Sequence, residues 1–442
     1  TMSFPPSITP RAKPPPHPSA DVAPRQRRYV LALLTLLSAL AFMDRQILAV
    51  VLEPVKTEFG LSDLQIGLVT GLGFSLSFAL LGIPLGKLAD RSERRRVLVW
   101  SRGLGALLGA TGALASGFWS LLASRTGGAV SDAGGTPASI SMLSDLFPPE
   151  ERSRVISIFG TGGSVGALLA LVLGSWLAQH WGWRSAIVVI GASAFAAVLL
   201  LRWTVQEPAR PPSPAAQSVN GSLPAQGAVA QLWHTPVTRW LIIGAAFALL
   251  AGYGFGAWNN ALLVRHHHLS LQHAGLISGA SALASIIGAL FSGTLTDRLT
   301  RRDMRWQLGV PLLGVLLALP CGWLYLSLPG GSVISAAMLM VGYAFFVVWW
   351  AAPTYAALSF VVPPQRRATA HATLMLVGSI IGSGLGPIFT GWRSDTLEAY
   401  LPGNGLRIAL MVIVGMLLPS LFALSRALPL FPQARLAIDS GH

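Results

Sequence analysis

Charge is scarce in this sequence: Asp, Glu, Lys and Arg make up 11% of its 442 residues, where a soluble domain carries roughly 25%. Too little charge to coat a water-facing surface excludes most soluble enzyme classes. The 52% of hydrophobic residues and a mean hydropathy of +0.60 exclude intrinsic disorder for the bulk of the chain and make lipid the fitting solvent. Cysteine is nearly absent. The lone Cys321 excludes an intrachain disulfide and a Cys-based metal cluster. Acid is the scarcer sign, with 17 Asp+Glu against 31 Lys+Arg and a net charge of +14. Also missing are a P-loop, an HExxH helix and a nucleophile elbow in a credible context, so the parts for ATP-driven transport and for catalysis are lacking. No cofactor and no metal are expected.

What is present is a succession of apolar runs. Residues 1–28 form a Pro-rich tail that cannot pack a core. Apolar stretches long enough to cross a bilayer follow at 29–51, 65–89, 97–116, 118–146, 155–179 and 184–203, which make an N-terminal bundle over 29–203. The interval 204–237, with Pro208, Pro211, Pro212 and Pro214 followed by Ser, Gln, Gly and Asn, reads as a linker. Six more stretches, 238–264, 273–296, 306–328, 331–360, 368–391 and 405–427, make a C-terminal bundle over 238–427, and 428–442 is a tail. The expected fold is an all-α membrane protein of twelve transmembrane helices in two six-helix bundles.

The position of the basic residues settles what they are for. Arg25, Arg27 and Arg28 precede span 1. Arg91, Arg94, Arg95 and Arg96 follow span 2, Arg152 and Arg154 follow span 4, Arg298, Arg301 and Arg302 follow span 8, and Arg366 and Arg367 follow span 10. Every second connection is basic. The positive-inside rule places both termini and the linker in the cytoplasm and disposes of a nucleic-acid reading. Short loops, one cysteine and no glycosylation sequon in an outer loop point to a bacterial inner membrane.

The two bundles repeat. Gly86-Lys-Leu-Ala-Asp90-Arg91-Ser-Glu-Arg94-Arg95 matches Gly293-Thr-Leu-Thr-Asp297-Arg298-Leu-Thr-Arg301-Arg302 at an offset of 207. Pro148-Pro149-Glu150-Glu151-Arg152 matches Pro363-Pro364-Gln365-Arg366-Arg367 at an offset of 215. Spans 5 and 11 both carry glycines at small-xxx-small spacings. The motif G-x-L-x-D-R-x-x-R-R after span 2, repeated after span 8 in a 6+6 chain, resembles the major facilitator superfamily, although Glu93 and Thr300 stand where that family usually has Gly. The resemblance implies two bundles rocking about a midplane cavity. It also implies a cytoplasmic gate of Gly86, Asp90, Arg91, Arg94, Arg95, Asp145, Asp297 and Arg298. In that gate Asp90 faces a helix N-terminus and one of the arginines after span 2 reaches Asp145.

Ionisable groups inside spans cost at least about 2.5–3.5 kcal/mol each and so ask for a reason. Span 1 holds Asp44-Arg45 and span 4 holds Arg125 and Asp132. At about 1.5 Å per residue these groups fall at nearly the same depth, with Asp132 two turns further toward the cytoplasm. They form either a buried structural ion-pair network or a cavity site. In the second case the arginines grip an anion and the acids bind and release protons. Spans 7 and 10 carry aromatics and amides instead: Tyr253, Trp258, Asn259, Tyr343, Trp349 and Tyr355 are the expected opposite wall. A charged wall facing an apolar one suits an amphipathic, anionic or lipid-like solute.

Asp44-Arg45 in span 1 together with Arg125 and Asp132-Ala133-Gly134-Gly135 in span 4 looks like the spinster branch of the superfamily. There an Asp-Arg in helix 1 and an Arg…Gly-Glu-Ala in helix 4 are usual, and eukaryotic members move sphingosine phosphate and lysophospholipids. Here Asp132 replaces Glu and Phe42 stands where Tyr is frequent. The resemblance implies a proton-coupled secondary transporter working as a monomer in the bilayer. The competing readings are a broad-range drug/proton antiporter, and a receptor or lipid scramblase without uphill flux. His266, His267, His268 and His273 in one outer connection lack local acid or Cys partners for a metal, His371 begins span 11, and Glu53, Glu58 and Asp63 read as a solvated acidic loop.

Overall fold

The computed structural model describes residues 23–207, 232–363 and 366–439, which are helices and their short connections with no strand among them. Most of the linker expected at 204–237, and residues 1–22 of the N-terminal tail, lie outside the described residues. The first half contains α1 (Pro24–Val50), the short α2 (Leu52–Phe59), α3 (Asp63–Arg91), α4 (Arg94–Ala110), α5 (Phe118–Gly128), α6 (Val130–Leu146), α7 (Pro149–Leu169) and α8 (Ser175–Thr204). The second half contains α9 (Pro236–His267), α10 (Leu271–Thr300), α11 (Trp306–Ser327), α12 (Val333–Val347), α13 (Ala351–Phe360), α14 (Arg367–Val377), α15 (Gly386–Glu398), α16 (Gly405–Gly415) and α17 (Leu417–Asp439). The last helix runs on to Asp439, so most of the stretch expected as a C-terminal tail continues the helix.

Length and composition alone pick out 10 membrane-crossing candidates among the described residues. Two corrections lead to the count of twelve. One candidate, Arg154–Thr204, is 51 residues long, about 77 Å at helical rise, more than twice a hydrocarbon core of about 30 Å. It is broken at Gly182, whose φ of 81° and ψ of 158° only glycine adopts readily, so the chain crosses twice there. The pair α5–α6 is not counted as a candidate, because a turn at Ala129 divides it into helices of 11 and 17 residues, yet end to end the two cross as one span. Spans 5 and 11 each pass through a π-helical stretch, at Ala170–Gly174 and Gly378–Leu385. Such stretches inside α-helices are frequent at functional sites.

The buried core shows where the halves meet. One cluster stays within the first half near the rim that carries the chain termini; it includes Leu34, Leu98, Leu143 and Leu201. The larger cluster joins the opposite end of the first half, with Ile47, Val51, Leu52 and Ile66, to the second half, with Trp258, Leu262 and Ile413. Helix α3 packs along α15 and the π-helical stretch before it, and α8 packs on α10. The approach of α3 to span 11 depends on glycine: a Cβ on Gly67 would stand 2.6 Å from the Pro387 carbonyl oxygen, and one on Gly71 would collide with the Gly384 carbonyl. The two halves are thus closed against each other at the rim far from the termini.

Candidate functional site

The charged groups of spans 1 and 4 meet between α1 and α5. Arg125 places Nη1 3.7 Å from Asp44 Oδ2, and its Nη2 donates to the backbone carbonyls of Asp44 at 2.9 Å and Arg45 at 3.0 Å. The guanidinium is therefore held mainly by backbone. Glycines make room for the acid: a Cβ on Gly109 of α4 would lie 3.0 Å from both Asp44 carboxylate oxygens, and one on Gly128 would lie 3.5 Å from Oδ2. Asp44 Oδ1 is buried and has no hydrogen-bond partner among the described residues.

Asp132 is not beside Arg125. Its carboxylate takes a 2.8 Å ion pair from Nη1 of Arg102, on α4, and both side chains are at least nine-tenths buried. Arg102 also donates to Ser131 Oγ and Thr136 Oγ1, each at 3.3 Å. It presses flat against Gly135, where a Cβ would overlap the guanidinium. Arg102 is the residue the sequence reading passed over. Its signal in the sequence is an arginine inside span 3, a span that carries no acid to mark it.

Arg45 is different again. No carboxylate lies within ion-pair distance of it among the described residues. Its guanidinium sits 4.0 Å from the Phe74 ring centroid, with Phe42 and Tyr253 at 5.7 and 5.9 Å. Cation–π contact holds the plane while leaving the N–H fork free, an arrangement suited to bidentate capture of an anion.

Arg45 and Arg125 line a cavity of about 260 Å³ together with Gln46, Thr70, Phe74, Tyr253 and Ser383. A second compartment of about 360 Å³ adjoins it and shares Gln46, Ala49, Gly252, Tyr253 and Gly256. This one is walled mainly by the second half, with Asn259, Met340, Tyr343 and Trp350. Of the expected wall, then, Tyr253, Asn259 and Tyr343 line it. Three residues do not. Trp258 is fully buried and donates its indole N–H to the Pro387 carbonyl at 3.0 Å, tying span 7 to span 11. Trp349 packs among Phe291, Phe345 and Phe346 with centroids 5.3–5.6 Å away. Tyr355 stacks on His371, 5.9 Å away, and His371 Nε2 lies 2.7 Å from Ser359 Oγ. Helical geometry is the reason: neighbours in sequence are about 100° apart, so Asn259 and Trp350 face the cavity while Trp258 and Trp349 turn away.

The far rim holds a network the sequence reading took for a solvated loop. Asp63 is 2% exposed. Arg265, from the end of α9, donates Nη1 and Nη2 to its two oxygens, both at 2.8 Å, and also pairs with Glu53. Lys56 and Ser394 reach the same carboxylate at 2.5 and 2.6 Å. Asp395 of α15 accepts the backbone N–H of Asp63 at 2.9 Å and of Leu64 at 2.7 Å, capping α3 from the other half. Burial raises the Glu53 carboxyl above the ordinary glutamate value against the pull of Arg265. Glu58 accepts from Arg184 and from the Trp183 indole at 2.7 Å, and these hydrogen bonds hold it below that value. In the outer histidine run, His267 is buried beside Tyr325 at 6.2 Å, and His266 Nε2 lies 3.0 Å from the Leu328 carbonyl oxygen.

At the terminus-side rim, the expected gate residues whose side chains are described form no such bridge between the halves among the described residues. The side chains of Gly86, Asp90 and Arg91 lie outside the described residues. Arg94 is buried against Asp145 and stands 3.1 Å from Glu207, whose other oxygen accepts the Arg95 backbone N–H at 2.7 Å. These contacts clamp spans 3, 4 and 6 within one half. Asp297 and Arg298 are exposed and make no ion pair among the described residues.

The family model of the Major Facilitator Superfamily matches residues 34–387. The chain is 32% identical over 401 residues to an MFS-type efflux pump of Mycolicibacterium smegmatis, covering 88% of this chain and 90% of that one. It is 27% identical over 410 residues to protein spinster homolog 1 of Rattus norvegicus, covering 85% and 75%. Its fold matches the crystal structure of a bacterial homolog to the human lysosomal transporter Spinster in an inward-facing, unoccupied conformation, with a TM-score of 0.83, 28% identity, and 94% and 99% of the two chains covered. The chain belongs to the major facilitator superfamily, as a multi-pass membrane transporter rather than an enzyme, and is similar to the superfamily's spinster proteins.

Proposed function

We propose that this protein is a secondary active transporter that moves an amphipathic, anionic or lipid-like molecule by alternating access, coupled to protons. One observation carries this reading: Arg45 stands in the cavity wall without an acid partner among the described residues, beside an apolar compartment larger than its own. An anionic head on Arg45 and a hydrocarbon body against Met340, Tyr343 and Trp350 use both compartments. Asp44 and Asp132 supply the titratable groups. When protonated they release arginines, and when ionised they reclaim them.

In this reading the basic connections place the terminus-side rim in the cytoplasm of a bacterial inner membrane, and the state described here is closed outward by the Arg265–Asp63 network. The Asp90, Arg91, Asp297 and Arg298 loops latch the cytoplasmic rim in the alternate state. One chain encloses both compartments, so the working unit is a monomer. The test is flux of lysophosphatidylglycerol into proteoliposomes with and without a pH gradient. Accumulation that collapses with the gradient, and that Arg45→Ala abolishes, supports the reading; gradient-independent flux removes the coupling. A second reading, export of diverse drugs, is favoured by the name of the mycobacterial relative. It predicts transport of several unrelated cations, which a cavity carrying Arg45 and Arg125 disfavours.

A further inference from the structure

Asp132 is 6% exposed and lines neither compartment of the cavity. An acid so placed reaches the cargo only through something else, and one side chain stands in the right place. Arg102 holds Asp132 on one side. On its other side it lines a small cavity of about 10 Å³ shared with Asp44, about the room one water needs. Asp44 brings to this region a buried oxygen, Oδ1, without a partner. The remaining lining from α8 is Gly191, Ala194 and Val198, without charge. The charged groups gathered here are therefore two acids, Asp44 and Asp132, and two arginines, Arg102 and Arg125, with Arg45 next in sequence turned to the aromatic cage.

We propose that Arg102 is a positioning residue that transmits the protonation of Asp132 to Asp44, so that an acid outside the cavity decides whether Arg125 is available inside it. The step balances simply. Asp132 takes a proton from water and its ion pair with Arg102 Nη1 opens. The guanidinium keeps its own protons and charge and turns across the small gap to the free Oδ1 of Asp44. The 3.7 Å contact between Asp44 and Arg125 Nη1 then loosens, and Nη1 is free for an anionic head while Nη2 stays on the backbone carbonyls of Asp44 and Arg45. Deprotonation of Asp132 reverses each move. The inference rests on the anion-binding function proposed above and adds a residue and an order of events to it.

The test is binding of lysophosphatidylglycerol, whose phosphodiester keeps one charge throughout, to the full chain in nanodiscs between about pH 6 and pH 8, a range chosen around neutrality. Asp132→Asn, which fixes the uncharged side chain, is expected to bind at least about tenfold tighter than the wild type at pH 8, a difference of about 1.4 kcal/mol. Arg102→Gln should erase that gain, so that Arg102→Gln/Asp132→Asn matches Arg102→Gln within about twofold, and Arg102→Lys should restore it in part. A double variant as tight and as pH-independent as Asp132→Asn alone overturns the proposal, as does an Asp132→Asn profile equal to the wild type. Should Arg102→Gln fail to fold, Asp44→Asn decides: adding Asp132→Asn to it must change nothing, and a further gain defeats the relay. Absence of binding to the wild type, or undiminished binding to Arg45→Ala, defeats the anion-transport function itself, and the relay falls with it.

Discussion

Arg265 forks onto Asp63, each terminal nitrogen 2.8 Å from one carboxylate oxygen, and the pair joins the end of span 7 to the start of span 2 across the two halves. With Asp395 capping the same turn from span 11, this relationship defines which rim is shut. Asp63 is buried while Arg265 is a quarter exposed, so breaking the pair leaves a buried carboxylate short of its main cation.

Arg265→Ala leaves Asp63 buried with Lys56 as its remaining cation. The expected cost to the closed rim is about 2–3 kcal/mol, below the 3–5 typical of a fully buried pair because one partner is partly solvated. The check is labelling of Ser394→Cys, in a Cys321→Ser background, by a membrane-impermeant maleimide. Ser394 is 1% exposed, so labelling should rise at least about tenfold when Arg265 is removed. Unchanged protection would mean that the apolar core seals the rim unaided.

Arg45→Ala removes a cation that pairs with no acid among the described residues. Stability should therefore move little, by less than about 1 kcal/mol of lost cation–π contact. Affinity for lysophosphatidylglycerol should fall by roughly 10- to 100-fold, the worth of one or two charge-assisted hydrogen bonds. A thermal melt beside a titration separates the two effects, and a large drop in melting temperature with intact affinity would recast Arg45 as structural.

Gly109→Ala would push a methyl group to 3.0 Å from both Asp44 oxygens. The acid has to move off its seat, at an overpacking cost of about 1–3 kcal/mol. Uptake driven by a pH gradient should fall while exchange of labelled for unlabelled lysophosphatidylglycerol persists. Equal loss of both would show that the glycine serves packing alone.

Glu58 offers a pH test outside the spans. Its hydrogen bonds to Arg184 and Trp183 hold the carboxyl below its ordinary value. An acid lowered by folding contributes stability above its unfolded value and loses that contribution as pH falls through the folded one. Glu58→Gln should therefore lower the melting temperature in detergent at neutral pH, and the gap to the wild type should close below about pH 4. A gap that persists in acid would assign the effect to packing.

The spans, their pairing into two bundles and the residues inside them that carry charge were legible in the sequence, because burial in lipid forces long apolar runs and makes every intramembrane charge conspicuous. Asp44 and Arg125 could be brought together by counting rise along two antiparallel helices. Asp132 could not be assigned a partner that way. Its partner, Arg102, is fixed by how α4 rolls against α6 over Gly135, a packing outcome that depth along a helix does not encode. For the same reason Trp258 and Trp349 were misplaced on the cavity wall while Asn259 and the neighbouring Trp350 line it.

By itself, then, the sequence determined that the chain lives in a bilayer, folds as a duplicated helical unit and keeps costly charges in spans 1 and 4, since one-dimensional hydropathy and spacing dictate all three. Only the tertiary structure decided which arginine answers which acid and which rim is closed. Asp63 meets Arg265 from 202 residues away, and such meetings depend on the rotation and approach of whole helices, where a few glycines set the distances.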